Sequence, residues 1–116
     1  MRGNIREFVR TTAEVVEVPE PIVEIGSLQV AGQMHSADLR PFFPGKHYIG
    51  CDTREGPGVD RIENVHALSF ANDSAGTVLM LETLEHVENP LQAMAEVLRV
   101  LKPEGLVVLS SVMDYP

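Results

Sequence analysis

The chain has 116 residues, of which 44% are hydrophobic, and this length and composition are typical of one globular domain. Its 9 basic and 17 acidic residues give a formal net charge of −8, which repels phosphate backbones and argues against a nucleic-acid partner. The sequence contains no apolar run near the roughly 20 residues of a membrane span and no signal-like start, so we expect a cytoplasmic protein without membrane contact.

The first segment predicts a helix that ends before a pair of prolines. Its apolar residues recur near helical spacing between residues 5 and 18, with acidic residues between them. Pro19 and Pro21 end the helix, because proline lacks a backbone donor and disfavours helix in the residue before it. We expect residues 1–18 to form a helical cap over one edge of a sheet. The apolar positions are Ile5, Phe8, Val9, Ala13 and Val16.

The first strand, residues 22–25, is apolar apart from Glu24 and ends at Gly26 and Ser27. A buried strand that stops at a glycine brings backbone N–H groups to the carboxyl edge of a sheet, where open α/β folds bind nucleotides. This stretch is therefore expected to organise the functional site.

The middle of the chain gives one clear strand. Residues 28–43 have a weak pattern in which only residues 36–40 look helical, whereas residues 48–51 form a second strand that ends on Asp52. Residues 54–58 are too rich in glycine and proline for a helix or a central strand, and residues 59–63 suggest a short third strand.

The last third of the chain alternates between strand and helix. Residues 77–81 form a continuous apolar run, Asn89 and Pro90 are a typical helix start, and residues 106–109 predict a further buried strand. Such alternation favours a parallel sheet with right-handed crossovers. The apolar face of the helix is predicted to consist of Leu91, Met94, Ala95, Leu98 and Leu101.

Gly26 and Asp52 follow successive strands at a spacing near the roughly 20 residues that separate a glycine turn from a ribose-binding acid. A carboxylate there accepts both ribose hydroxyls. Leu28 and Ala31 stand where a dinucleotide-binding turn has further glycines, so a nucleotide-sugar or dinucleotide enzyme is a poorly supported alternative.

Five segments, taken in order, resemble the class I S-adenosylmethionine-dependent methyltransferases. They are similar in particular to the small-molecule, methyltransferase type 11-like branch, and the resemblance runs from about residue 22 to residue 109. The segments are VEIGS at 23–27, YIGCD at 48–52, NVHALSF at 64–70, LEHV at 84–87 and LRVLKPEG at 98–105.

The resemblance implies a three-layer, Rossmann-like α/β fold with a mostly parallel sheet. It also implies S-adenosylmethionine as cofactor and methyl transfer to an unidentified, small-molecule acceptor. The family fold has seven strands and this sequence accounts for five, so the core, residues 22–113, is expected to be incomplete at its C-terminal end. The chain is then either a fragment or a shortened relative that forms a homo-oligomer through an open sheet edge.

The resemblance implies that the methionine part of the cofactor lies beside the first and fourth strands. Glu24 would orient the glycine turn or the methionine amino group, and Gly26 and Ser27 would lie close to the methionine part. Leu81 and Glu82 would line the methionine end and the opening for methyl transfer. No residue is assigned a catalytic role, because such transfer depends chiefly on holding the reacting atoms in line.

The nucleoside part would lie beside the second strand and the loop that follows the third. Asp52 would take the ribose hydroxyls, and Thr53 would lie against the adenine. Asn64 stands where the family usually has an acid, and its amide oxygen would accept the adenine amino group. The Val65 N–H would reach a ring nitrogen.

Each of these residues also has a plain structural interpretation. Glu24 is alternatively an acid that caps nearby N–H groups, Asp52 is a turn former, and the turn at Gly26 is a simple bend. Leu28 and Val30 stand where many members of the family have glycines. This substituted glycine turn also leaves open a non-catalytic remnant of the fold that acts as an interaction or assembly module.

Other reactive residues are assigned no chemistry. Glu82, Glu85 and His86 lack a second cluster that would complete a metal shell, so no metal site is predicted. Cys51, the only cysteine, lies in an apolar run and is expected to be a packing residue. The remaining histidines stand apart from one another in the sequence and are expected at the surface; they are His35, His47 and His66.

Overall fold

The computed structural model describes residues 3–29 and 38–110, which form a five-stranded sheet between two helices. Short 3-10 turns at Arg40–Phe42 and Leu84–His86 connect parts of this framework. The helices are α1 (Gly3–Val15) and α2 (Pro90–Val100), and the strands are β1 (Ile22–Ile25), β2 (Tyr48–Asp52), β3 (Arg61–Ile62), β4 (Ala75–Leu81) and β5 (Leu101–Ser110).

The strands lie in the order β3-β2-β1-β4-β5, and every neighbouring pair is parallel. β1 is central, with Glu24 in register with Gly50 of β2 on one side and Leu79 of β4 on the other. The direction in which the chain adds strands reverses between β1 and β4, and open α/β sheets bind ligands at such a reversal. The predicted Rossmann-like α/β fold with a mostly parallel sheet is confirmed.

One face of the sheet packs against α2. Because side chains alternate along a strand, Val23 and Ile25 of β1 point to this face together with Val78 and Met80 of β4. The thiol of Cys51 lies in the same core and is fully buried, as the sequence predicts. The helix contributes Ala93, Val97 and Val100 to this core.

The predicted apolar face of α2 is right for Met94 and Leu101, which pack against this core, and wrong for Leu91, Ala95 and Leu98, which are exposed. Leu91 is 85% exposed and Leu98 is 61% exposed, whereas Val97 is fully buried. The helix carries two apolar stripes with the same spacing, so periodicity does not choose between them. Polar contacts between α2 and residues 66–70 decide which stripe of the helix is buried. The Leu68 N–H donates to Glu96 (2.8 Å), Gln92 donates to the His66 carbonyl (2.8 Å), and Arg99 donates to the carbonyls of Leu68 and Phe70 (2.8 and 3.0 Å).

The other face of the sheet packs against α1, which buries Ile5 and Val9. This second core includes Ile22, Leu79 and Val108 from three strands, so the helix covers a face of the sheet. The prediction that it covers an edge is therefore wrong. The helix also ends at Val15, before the predicted residue 18. The predicted helical residues 36–37 lie outside the described residues. No helix in the ranges 3–29 and 38–110 is long and apolar enough to cross a membrane.

Candidate functional site

A cavity of about 630 Å³ opens at the carboxyl ends of β1, β2 and β4, where the strand order reverses. Its volume lies within the range of small-molecule and cofactor sites. All nine residues that the resemblance singled out line this cavity. They are Glu24, Gly26, Ser27, Asp52, Thr53, Asn64, Val65, Leu81 and Glu82.

The turn after β1 requires a glycine. Gly26 has a φ of +81°, and a Cβ at this position would collide with Thr83 Oγ1. Thr83 is held in place because its hydroxyl donates to the Leu81 carbonyl at 3.0 Å. The turn and the end of β4 therefore approach more closely than any side chain at position 26 would allow.

The backbone donors of this turn are used within the protein. The Gly26 and Ser27 N–H groups both donate to the Cys51 carbonyl, at 2.8 and 2.9 Å. The Leu28 N–H donates to Asp52 Oδ2 at 3.1 Å, and the Gln29 N–H donates to the Pro57 carbonyl at 2.8 Å. Residues 26–29 thus present no row of open N–H groups that could bind a pyrophosphate. The expectation that backbone donors at this edge are free for a ligand is wrong for these four residues.

The Asp52 carboxylate is oriented by the loops on both sides of it. Oδ2 accepts the Leu28 N–H, and Oδ1 accepts the Arg54 N–H at 3.1 Å with the Arg54 Nε at 3.6 Å. Each oxygen keeps further acceptor capacity, so the group can take two neighbouring hydroxyls. Thr53 is exposed on the wall beside it.

Glu24 is a buried acid, and its side chain reaches the cavity from the middle of the sheet. It is 7% exposed and accepts a hydrogen bond from the Tyr48 hydroxyl at 2.5 Å. Within residues 3–29 and 38–110 it forms no ion pair. Burial raises the pKa of this carboxyl to about 7, although the Tyr48 hydrogen bond acts in the opposite direction.

The loop after β3 is held by its own side chains. Asn64 Oδ1 accepts the His66 N–H and contacts His66 Nδ1, both at 2.9 Å, so this oxygen is already engaged within the loop. His66 Nε2 accepts the Asn89 N–H at 3.0 Å, which places the ring proton on Nδ1. His66 is therefore a partly buried link between this loop and the start of α2, rather than the surface residue that was predicted.

Sequence reasoning missed Glu63, Thr83 and His66, which also line the cavity. A usable signal existed for Glu63 because it directly follows β3, and the carboxyl ends of parallel strands meet at one edge of a sheet. Burial raises the pKa of Glu63, but hydrogen bonds from Ser69 and the charge of Arg61 outweigh it and hold the pKa below its usual range.

The lining of the cavity is strongly acidic. Arg54 is the only arginine or lysine among its described lining residues, while five are acids. Such a surface favours a ligand that carries positive charge. No group of three or more potential metal ligands exists in the described ranges. The five acids are Glu24, Asp52, Glu63, Glu82 and Glu88.

The methyltransferase domain family matches residues 33–109 of the chain. An uncharacterized methyltransferase of Mycobacterium tuberculosis is 41% identical over 78 residues, which cover 67% of this chain and 26% of that protein. The chain thus spans about a quarter of the length of this curated relative.

Two solved structures have the same fold. The YcgJ protein of Bacillus subtilis superposes with a TM-score of 0.71 at 22% identity, over 93% of this chain and 50% of that chain. The methyltransferase CalH, solved in complex with SAH, superposes with a TM-score of 0.64 at 14% identity, over 90% of this chain and 35% of that chain. At these identities the superposition reports on the fold.

Proposed function

Because this chain belongs to the methyltransferase domain family, we propose that its cavity binds S-adenosylmethionine and that the protein transfers the methyl group to a small-molecule acceptor. One observation carries this proposal. The buried Glu24 and the hydrogen-bonded Asp52 line the same acidic cavity, which opens where the strand order reverses. The net charge of −8 favours an acceptor other than nucleic acid.

The residues present fit this cofactor. S-adenosylmethionine carries a ribose diol, an ammonium and a sulfonium but no phosphate, which suits a turn whose N–H groups are used internally. Because Gly26 has no side chain, the turn lies close to Thr83 and does not fill the cavity beside it. The acidic lining suits the net positive charge of the cofactor.

In this proposal each part of the chain has a binding or orienting role. Asp52 holds the ribose hydroxyls, and Thr53 and Val65 enclose the base. Glu24 faces the methionine ammonium, and Leu81 and Glu82 border the opening towards the acceptor. When bound, the cofactor supplies a methyl group activated by its sulfonium, which leaves as a thioether. Orientation of two reacting atoms supplies much of such catalysis, so no lining residue is assigned a proton transfer in the methyl-transfer step itself.

Asn64 contributes differently from what the resemblance implies. Its oxygen already accepts from His66, so the adenine amino group would have to be bound by another acceptor of the same wall. The backbone of this loop is fixed by the His66 contact with α2, which makes it a rigid wall for a flat base.

The test is calorimetric titration with S-adenosylmethionine and S-adenosylhomocysteine. We expect micromolar binding that Asp52→Ala weakens at least tenfold, about 1.4 kcal/mol, because the ribose hydroxyls lose their acceptor. Glu14→Ala, an exposed acid on α1, is the matched control and should bind like the wild type. Absence of binding to a folded chain, or binding displaced by NAD, would contradict the proposal.

A second candidate is a non-catalytic assembly module, which the exposed Leu91 and Leu98 on α2 favour. Large apolar side chains that recur along one helix face are typical of a contact surface. This candidate predicts a dimer in light scattering that Leu98→Ser disrupts, together with no binding of S-adenosylmethionine. A monomer that binds the cofactor would rule it out.

A further inference from the structure

The Glu24 carboxyl is enclosed by the sheet and by one aromatic side chain. It lies between β2 and β4, and the Tyr48 hydroxyl donates to its Oε1 at 2.5 Å. The Tyr48 ring is itself fixed, because Phe43 packs against it with ring centroids 5.9 Å apart. Among the described residues the carboxyl therefore has one hydrogen-bond donor, which is held in a fixed position, and only a small part of Glu24 is exposed to water.

Arg40, the cation whose charge acts on the Glu24 carboxyl, is paired with another acid. The Arg40 guanidinium stacks over the Tyr48 ring, 5.0 Å from its centroid. It donates to Asp60 Oδ2 at 2.6 Å and to the Gly58 carbonyl at 3.3 Å, so its charge is paired with another acid. The other charged groups that act on Glu24 are acids, Asp38 and Asp52. An ionised Glu24 would thus be a buried charge without a direct counter-ion in the described part of the chain, which is costly.

We propose that Glu24 carries a proton in the free protein and releases it when the ammonium group of the cofactor binds beside it, with Tyr48 as the positioning residue. This inference rests on the proposed function. The O–H bond of the carboxyl breaks, the proton passes to solvent, and the carboxylate pairs with the ammonium. Tyr48 keeps its own proton and continues to donate to Oε1.

The energetics agree with this geometry. Burial raises the pKa of Glu24 to about 7, and burial also raises the pKa of Tyr48 well above its usual range, so Tyr48 stays a donor throughout. Because binding requires the ionised carboxyl, the affinity rises with pH until the free protein is already ionised. The dissociation constant should fall by about tenfold between about pH 6 and about pH 8.

Calorimetry in buffers of different ionisation enthalpy counts the released proton. S-adenosylhomocysteine, which has the ammonium but no sulfonium, should release close to one proton at about pH 6 and almost none at about pH 8. Methylthioadenosine lacks the ammonium and should release none at either pH. Binding of S-adenosylhomocysteine with no proton release at about pH 6 would overturn the inference and leave the proposed function intact, whereas absence of binding would remove both.

Variants test whether the released proton comes from Glu24. Glu24→Gln should abolish the release, while Glu14→Gln, at an exposed site on α1, should leave it unchanged. Tyr48→Phe should move the pH midpoint of binding upwards, because the ionised carboxyl loses its donor. A purely structural role for Tyr48 would weaken binding without moving that midpoint. Release that persists in Glu24→Gln would overturn the assignment.

A measurement on the free protein is needed in case Glu24→Gln no longer binds. Infrared spectroscopy of the wild type should show a protonated carboxyl band that disappears with a midpoint near pH 7 and that is lost when S-adenosylhomocysteine is added. Glu24→Gln should lack this band, and Glu14→Gln should keep it. A wild-type spectrum without the band at about pH 6 would overturn the inference.

Discussion

Glu24 and Glu63 are two buried acids of one cavity with opposite ionisation behaviour. They are 7% and 8% exposed, and both line the same 630 Å³ space. Glu63 accepts from the Ser69 N–H at 2.8 Å, from the Ser69 hydroxyl, and from the Arg61 Nε at 3.0 Å. Glu24 accepts from the Tyr48 hydroxyl, and no cation of residues 3–29 and 38–110 pairs with it. The pKa is accordingly raised at Glu24 and lowered at Glu63.

The comparison teaches that burial alone does not determine the charge of an acid. Burial disfavours the ionised form of both carboxyls, and the difference comes from the donors and the cation that surround each one. Glu63 is structurally satisfied, since its contacts bind β3 to the loop at Ser69. Glu24 lacks a counter-ion from the described chain, and in our proposal the ligand supplies it.

The largest expected effect is the pH dependence of stability that Glu24 causes. Because the folded state holds this proton more tightly than the unfolded chain, the free energy of unfolding should fall as pH rises from about 4.5 to about 7, by about 3 kcal/mol. Urea denaturation across this range measures the effect as the difference between the wild type and Glu24→Gln. Parallel pH profiles of the two proteins would break the comparison.

The second largest expected effect is the loss of stability when Glu63 is replaced. Glu63→Gln removes the charge that pairs with Arg61 and weakens the bonds from Ser69, so we expect the free energy of unfolding at about pH 7 to fall by about 2 kcal/mol. Glu24→Gln at the same pH should not destabilise the fold, because the amide oxygen still accepts from Tyr48. Equal losses in the two variants would show that burial, and not the partners, governs both acids.

The smallest effect separates the cation from the other partners of Glu63. Arg61→Gln should lower the free energy of unfolding by about 1 kcal/mol, since the ion pair is partly exposed and the guanidinium also stacks on Phe70 at 4.0 Å. The pKa of Glu63 should rise in this variant, as measured by NMR titration of its carboxyl carbon. Lys102→Gln, at an exposed position, is the control and should change neither quantity.

Much of the site could be predicted because strand ends are readable in the sequence. Gly26 and Glu82 directly follow β1 and β4, Asp52 is the last residue of β2, and parallel strands bring their carboxyl ends to one edge. The rotation of α2 could not be predicted in the same way. Its two apolar stripes have equal spacing, and contacts such as that between Leu68 and Glu96, 28 residues apart, select the buried one.

The sequence by itself determined the order of the elements and the residues at the strand ends, because apolar runs, glycine and proline act locally on the backbone. Only the tertiary structure decided the chemical state of those residues. The raised pKa of Glu24 comes from its burial in the sheet and from the absence of a close cation within the described chain, and the hydrogen bond from Tyr48, 24 residues away, only partly offsets it. The engagement of the Asn64 oxygen depends on how His66 is held against α2. Such states follow from which distant groups surround a side chain, and no local pattern encodes them.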